Sequence, residues 1–314
     1  MRPDELRGAL LGWYRAHARD LPWRGDANPY RVLLSEVLLQ QTRVDQAIPY
    51  YHRFLQNFPT LEALGRADLE SVLKVWQGVG YYARARNLHK LAQTTPELPH
   101  TYAELLRLPG IGPYTAAAVA SIVFGESVAA VDGNVRRVVA RLEAKSNPTP
   151  SEVQSKADQL LAPDAPGDWN QAMMELGATV CVPKRPRCPD CPINAWCQGK
   201  AQPHLFPSPK ARKQTSVEAV ALVLVGEGGV HLEPRVGSVL GGLWGVPMEE
   251  GEGALERLQA RFGVEARYLG EILHAFTHRR LRVRVYQAPW AAAEIPAERP
   301  LSRLDQKILA LALP

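Results

Sequence analysis

From Pro3 to about Lys200, apolar residues recur at intervals of three and four, the period of one helical face. The spacing predicts helices over 4–17, 30–39, 43–56, 61–65, 68–75, 80–93, 101–106, 112–124, 133–143, 151–161 and 168–178, with no strand alternation between them. Proline and glycine punctuate the joints, as in Asn57-Phe58-Pro59-Thr60 and Thr95-Pro96-Glu97-Leu98-Pro99. Ala201 to Ser216 is rich in proline and basic residues, a linker composition. Past it the pattern changes. Val217–Val225, Val230–Arg235, Ala266–Ile272 and Arg280–Ala288 read as strands, Ala254–Phe262 and Ser302–Leu313 as helices. The expectation is an all-α region joined to an α+β module.

One predicted helix breaks the amphipathic rule. Tyr30 to Gln41, YRVLLSEVLLQQ, is apolar nearly all the way round and therefore reads as buried, with Glu36 in its middle. A glutamate is almost never fully buried without a partner. Desolvation would raise its pKa and make it a proton donor near neutral pH. A Glu at a helix end facing a cleft, or paired with Arg24 or Arg31, would account for the same pattern.

Composition sets bounds on this picture. A chain of 314 residues with 46% hydrophobic content supports two or three domains with their own cores. No apolar run reaches membrane-spanning length: the longest candidate, Val217 to Val225, contains Glu218, and a soluble protein is expected. Asp4, Glu5 and Arg7 fall where a signal peptide needs an apolar core, which points to an intracellular setting. A net charge of +5 fits an anionic partner, nucleic acid before membrane, without establishing one.

All four cysteines lie close together, as Cys181-x6-Cys188-x2-Cys191-x5-Cys197. Four thiolates on short loops suit a tetrahedral metal site, and clustered cysteines in an intracellular chain favour metal over two disulfides. Pro183, Pro186, Pro189 and Pro192 stiffen the intervals and exclude a regular helix. Spacing alone leaves zinc and iron–sulfur both open, because there is one Cys-x2-Cys pair and the outer intervals are long.

Two further segments carry chemistry. In Leu105 to Ala117, LLRLPGIGPYTAA, a helix stops at Pro109, Gly110-Ile111-Gly112 turns tightly, and Pro113 opens the next helix. Glycine amides and a helix N-terminus suit a backbone phosphate, although a plain helix–helix connection uses the same pattern. Asp132, in Val131-Asp132-Gly133-Asn134, precedes a helical run and is by default an N-cap. That role is compatible with an ionised carboxylate stabilising a cation.

Taken together, these motifs resemble the helix-hairpin-helix DNA glycosylases with a carboxy-terminal iron–sulfur loop, and among them the MutY adenine DNA glycosylases. Leu21-Pro22-Trp23-Arg24, Ser35 to Thr42, Trp76-Gln77-Gly78-Val79-Gly80-Tyr81-Tyr82 and Asp132-Gly133-Asn134-Val135 match that family's pattern in order. The resemblance implies a glycosylase region over 1–200, made of a six-helix barrel at about 21–128 and a cluster domain from 1–20 and 129–200. A linker over 201–216 and a Nudix-like domain over 217–314 would follow. It implies a 4Fe–4S cluster on Cys181, Cys188, Cys191 and Cys197, and a cytoplasmic monomer, nucleoid-associated if bacterial. Its partner would be duplex DNA carrying adenine opposite 8-oxoguanine or guanine, with no membrane partner.

The implied chemistry is hydrolysis of the N-glycosidic bond of a flipped-out adenine. Glu36 matches the general acid and Asp132 the carboxylate that stabilises the oxocarbenium ion. Tyr114 and Asn134 match residues that position them. Trp23, Arg24 and Glu175 match the adenine pocket, Gln41 and Tyr81 side chains that wedge into the duplex, and Gly110 and Gly112 the phosphate-binding hairpin. Related thymine-glycol glycosylases place a lysine where this chain has Tyr114, and a phenol forms no imine, so a monofunctional enzyme is expected. A pyrimidine-lesion glycosylase and a non-catalytic iron–sulfur DNA-binding protein are the alternatives. The first needs that lysine, and the second leaves Glu36 unexplained.

The carboxy-terminal module resembles Nudix domains, but Ala260 and Arg261 stand where the metal-binding glutamates would be, so binding replaces hydrolysis. Phe276, Thr277 and His278 match the loop that senses 8-oxoguanine. An ordinary strand connection is the alternative from the residues alone. Arg280, Arg282 and Arg284 alternate with Leu281, Val283 and Val285, which places three guanidiniums on one strand face.

Overall fold

The computed structural model describes residues 3–208, 214–237, 239–276, 279–291 and 295–313. Its first eleven helices are α1 (Pro3–His17), α2 (Pro29–Leu39), α3 (Val44–Asn57), α4 (Leu61–Arg66), α5 (Leu69–Trp76), α6 (Ala83–Thr94), α7 (Tyr102–Leu105), α8 (Pro113–Phe124), α9 (Gly133–Leu142), α10 (Pro150–Leu160) and α11 (Pro166–Thr179). Then follow β1 (Thr215–Gly226), β2 (Gly229–Val230), β3 (Glu233–Pro234), β4 (Trp244–Gly245), β5 (Met248–Glu250), α12 (Ala254–Phe262), β6 (Arg267–Ala275), β7 (Arg279–Pro289) and α13 (Arg303–Ala312). Two compact units result, Met1–His52 with Thr95–Lys210, and Arg53–Thr94 with Ala211–Pro314. Among the described residues, no helix is long and apolar enough to cross a membrane.

In the first unit, helix starts follow from capping chemistry. Asn28 accepts from the Arg31 amide ahead of Pro29 in α2, and Asp132 accepts from the Val135 amide ahead of α9. Thr149 and Glu152 close a capping box on α10. Leu6 and Leu10 of α1, Val138 and Val139 of α9, Leu160 of α10 and Trp169 and Leu176 of α11 form one core. Helix α2 is buried on nearly every side, from Tyr30 to Leu38, and packs on α8.

In the second unit the main sheet runs β2-β1-β7-β6, with β5 also pairing β1. Strands β1 and β7 are parallel, whereas β6 lies antiparallel to β7. Strand β1 is buried on both faces: Ala219, Ala221 and Val223 pack with Leu304 and Ile308 of α13, and Val220, Leu222 and Leu224 with Ala254 and Leu258 of α12. This explains its continuous apolar run.

Two sequence expectations are corrected here. The predicted strand Val230–Arg235 is two short pieces in different sheets, β2 on β1 and β3 on β4; Pro234 lacks the N–H that would continue a ladder. Helix α6 starts at Ala83 instead of residue 80, because Gly78, Gly80 and Tyr81 have φ of 98°, 79° and 49°. Strands β4 and β5 went unpredicted, being too short to show a period.

Candidate active site

Glu36 is the centre of the first unit's polar interior. Its side chain projects from α2 into the α8 contact and is only 5% exposed. The phenol of Tyr114, one residue inside α8, donates to Glu36 Oε2 and also lies 3.1 Å from Met174 Sδ. Burial lifts the Glu36 carboxyl to about 7, the Tyr114 hydrogen bond works against the rise, and the Asp132 charge adds to it. Arg31 pairs with Asp26 and Arg24 with Glu175; among the described residues neither arginine forms an ion pair with Glu36, although the Arg24 charge lowers its pKa somewhat. Tyr114 itself is pushed well up by burial, then by the Glu36 and Asp132 charges, and remains a phenol.

Asp132 caps α9 and is more than a cap. Its Oδ1 accepts from the Val135 amide at 2.7 Å and its Oδ2 from Asn134 Nδ2 at 2.9 Å. Burial raises its pKa, and the donors from Val135 and Asn134 oppose that rise. Asn134 in turn is held by Arg137, whose Nη2 donates to Asn134 Oδ1 at 2.9 Å and whose Nε donates to the Cys181 carbonyl at 2.8 Å. Gly177 of α11 makes this approach possible: a Cβ there would lie 2.6 Å from Asn134 Cβ. The segment before Asp132 is tied by buried Asn170, which accepts from the Ala130 amide and donates to Ser121 Oγ and the Val128 carbonyl.

Glu175 is buried and held by two arginines. Arg19 Nε and Nη2 reach its two oxygens at 2.6 and 3.0 Å, and Arg24 Nη2 donates to Oε2 at 2.9 Å. Arg24 also donates to the Tyr14 hydroxyl and to Gln171 Oε1, and lies 5.1 Å from the Tyr14 ring centre. Trp23 packs edge-on against Tyr51, 5.2 Å between ring centres. Sequence reading missed Arg19, Tyr14, Gln171, Arg137, Asn170 and Gly177. Only the i, i+3 spacing of Asn134 and Arg137 on α9 offered a signal.

Gly110 has φ 75°, so the hairpin requires glycine there, whereas a Cβ on Gly112 would meet nothing within 4 Å. The amides of Gly110 and Gly112 donate to no acceptor among the described residues. Gln41 is exposed with φ 63° in the first unit, and Tyr81 is 47% exposed with φ 49° in the second.

The four cysteines are half-buried and line one pocket with Arg141, Pro186, Arg187, Asn194, Lys200 and Pro203. Burial, then the Cys181 charge, raises Cys188; burial likewise leads for Cys197 and lifts Cys191 to about 11. Buried Arg141 donates to Cys181 Sγ at 3.2 Å and to the carbonyls of Cys181, Val182, Pro183, Pro203 and Phe206. Among the described residues, no three His, Cys, Asp or Glu side chains are grouped closely enough to hold one ion. Lys184, Arg185 and Arg187 of the same loop are exposed.

In the second unit, Phe276 begins the β6–β7 connection, its amide donating to the Arg279 carbonyl at 2.8 Å and its ring 4.7 Å from His274. Thr277 and His278 lie outside the described residues. Arg280, Arg282 and Arg284 are exposed and share a face, but Arg282 stands 3.7 Å from Glu218 and 3.5 Å from Glu271, which offsets its charge. Arg261 pairs with Glu233 and covers the Phe262 ring, a packing role.

A family model described as HhH-GPD superfamily base excision DNA repair protein matches residues 34–163, and a NUDIX domain model matches 219–311. The chain is similar to the adenine DNA glycosylase of Mus musculus, 35% identical over 92% of this chain and 72% of that protein. It is similar to the adenine DNA glycosylase of Homo sapiens at 37% identity, over 90% of this chain and 66% of that protein. The chain thus spans 66% to 72% of the length of these two relatives. A solved thermostable thymine-DNA glycosylase matches with a TM-score of 0.59 and 27% identity, covering 63% of this chain and 98% of that one.

Proposed function

The chain belongs to the adenine DNA glycosylase family, DNA-repair hydrolases of N-glycosyl bonds, and we propose that it removes adenine opposite 8-oxoguanine or guanine in duplex DNA as a monofunctional, monomeric enzyme. The observation that carries the reading is Glu36, a buried carboxyl lifted to about 7 and held by the Tyr114 phenol. At neutral pH a large fraction carries a proton that it can give to the adenine ring. The glycosidic electron pair then leaves with a neutral base. Asp132, steadied by Val135 and Asn134, faces the cation that develops on the sugar and stabilises it, by charge or by transient attack at C1′. Water adds to C1′ and gives up a proton to solvent, and an abasic site results. Tyr114 provides no amine, so no imine forms and the strand is not opened by that route.

Trp23, Arg24 and Glu175 would form the adenine pocket, with Arg19 keeping the Glu175 carboxylate in place. The unengaged amides of Gly110 and Gly112 suit a phosphate oxygen, and Gln41 and Tyr81 are read as wedges into the duplex. Phe276, Thr277 and His278 would sense the opposite base from the module over 217–314, which follows a glycosylase region over 1–200 and a linker. Ala260 and Arg261 leave that module without the Nudix metal ligands.

Cys181, Cys188, Cys191 and Cys197 would hold a 4Fe–4S cluster. All four thiols line one pocket without three of them converging on a single ion, which suits a cluster that takes one thiolate per iron better than one zinc. The buried guanidinium on Cys181 Sγ offsets the negative charge such ligation brings. When bound, the cluster supplies a cross-link that fixes the loop bearing Lys184, Arg185 and Arg187. Visible absorption by the purified protein, with four irons per chain, tests it, and a colourless zinc protein overturns it. The activity is tested on duplexes carrying adenine opposite 8-oxoguanine, with thymine glycol in parallel. Alkali-labile sites from the first duplex alone support the reading, while cleavage of the second alone replaces it.

A further inference from the structure

The turn that carries Tyr81 is braced from two sides within the second unit. Gly78, Gly80 and Tyr81 all take left-handed φ, a conformation a tyrosine keeps only when its surroundings hold it there. The inner brace comes from the flanking helices. Trp76 Nε1 and Arg84 Nη2 donate to the Gly80 carbonyl at 3.0 and 3.1 Å. The Arg84 guanidinium lies 5.4 Å from both the Trp76 and the Tyr81 ring centres.

The outer brace comes from the carboxy-terminal module. The Leu301 amide donates to Gln77 Oε1 at 3.0 Å, and the Tyr82 hydroxyl donates to the Leu301 carbonyl at 3.3 Å. One peptide residue therefore binds both flanks of the turn. Leu301 is itself fixed: it is 5% exposed, it bridges to Trp244, and Ser302 after it caps α13. Before it, Pro300 accepts from the Trp244 amide at 2.9 Å, and Arg299 stacks on the Trp244 ring at 4.2 Å and pairs with Glu70 of α5 at 3.0 Å.

The geometry points to Gln77, Tyr82 and the Leu301 backbone as positioning groups for Tyr81, so that the carboxy-terminal module sets how the Tyr81 ring meets duplex DNA. The inference rests on the reading of Tyr81 as a wedge. A turn held in its working conformation before binding spares the complex the cost of ordering it, so loosening the brace weakens engagement of the duplex and leaves the bond-breaking step alone.

The test uses the full chain with Tyr82→Phe and Gln77→Met, each of which removes its hydrogen bond with Leu301 and nearly keeps the side-chain volume. Single-turnover excision across a range of enzyme concentrations separates half-saturation from the limiting rate. 2-Aminopurine beside the mispaired adenine reports unstacking. Each variant raises half-saturation about three- to ten-fold, as the loss of one hydrogen bond does. The 2-aminopurine signal falls with it, while the limiting rate and the melting temperature stay close to the parent. Adding Tyr82→Phe to Tyr81→Ser costs nothing further. Unchanged half-saturation in both variants, or losses that multiply with Tyr81→Ser, overturn the brace. If Tyr81→Ser itself changes neither half-saturation nor unstacking, the wedge reading falls and takes the brace with it. If only Tyr81→Ser has an effect, the brace alone falls.

Discussion

The Tyr114 phenol donates to the Glu36 carboxyl across the contact of α8 with α2. This bond opposes burial, which lifts Glu36 to about 7. Removing it leaves burial opposed only by the weaker Arg24 charge, so in Tyr114→Phe the Glu36 pKa rises further. With Glu36 as the proposed proton donor, the protonated acid is the working form, and excision should fall as pH climbs through its pKa. The alkaline limb of the single-turnover pH profile therefore moves to higher pH in Tyr114→Phe. At the optimum, the rate drops on the order of ten-fold through lost orientation. An alkaline limb that stays in place assigns it to another group.

Glu36→Gln keeps the shape and removes the proton. Excision falls by roughly 10²- to 10⁴-fold, while duplex affinity is retained. Stability changes as well, with a defined sign. The folded pKa lies above the ordinary value of 4.5, so Glu36 contributes stability that is fully present below about 4.5 and is lost as pH rises through about 7. The shift corresponds to on the order of 3 kcal/mol for this buried group. Urea unfolding thus finds Glu36→Gln gaining on the parent from pH 4 to pH 8. A difference independent of pH contradicts the assignment.

Glu36 was legible because it is one charge in an otherwise apolar helix, and Asp132 because a cap residue ahead of a helical run is conspicuous. Their supports were not. Arg19 reaches Glu175 across 156 positions, a separation on which local periodicity is silent. Arg141 sits in the basic-looking run VRRVVARL, yet it is buried and serves the cysteine loop. Strands β4 and β5 exist through their pairing with β3 and β1, and two or three residues carry no period of their own. The left-handed Tyr81 that delays α6 shows where a turn of positive φ overrides a helical pattern.

Gly177→Ala tests the contact of α11 with the start of α9. A methyl 2.6 Å from Asn134 Cβ must displace Asn134, and with it one of the hydrogen bonds on Asp132. Overpacking of this kind costs about 1–3 kcal/mol. The expected result is a lower melting temperature together with a lower limiting excision rate. Gly12→Ala on α1, where a Cβ meets nothing within 4 Å, is the control and should stabilise slightly. If Gly177→Ala melts lower but excises at the parent rate, Asn134 does not govern Asp132.

Arg137 joins the cysteine loop to the Asp132 carboxylate through Asn134. Its Nε holds the Cys181 carbonyl at 2.8 Å, its Nη2 holds Asn134 at 2.9 Å, and Asn134 holds Asp132 at 2.9 Å. Three hydrogen bonds in series connect the loop to Asp132, the carboxylate proposed to stabilise the sugar cation. Arg137→Met cuts the series at its middle and keeps an unbranched stem of similar bulk to the arginine's first four side-chain atoms. It also leaves Arg141, which still donates to Cys181 Sγ and the Cys181 carbonyl, to hold the loop. Arg137→Met should therefore retain visible absorption and duplex binding while the limiting rate falls by roughly ten-fold or more. Cys188→Ala should lose the absorption and the rate together. If Arg137→Met bleaches the protein, the arginine serves the loop. If it leaves both properties intact, Asp132 is positioned by its Val135 amide alone.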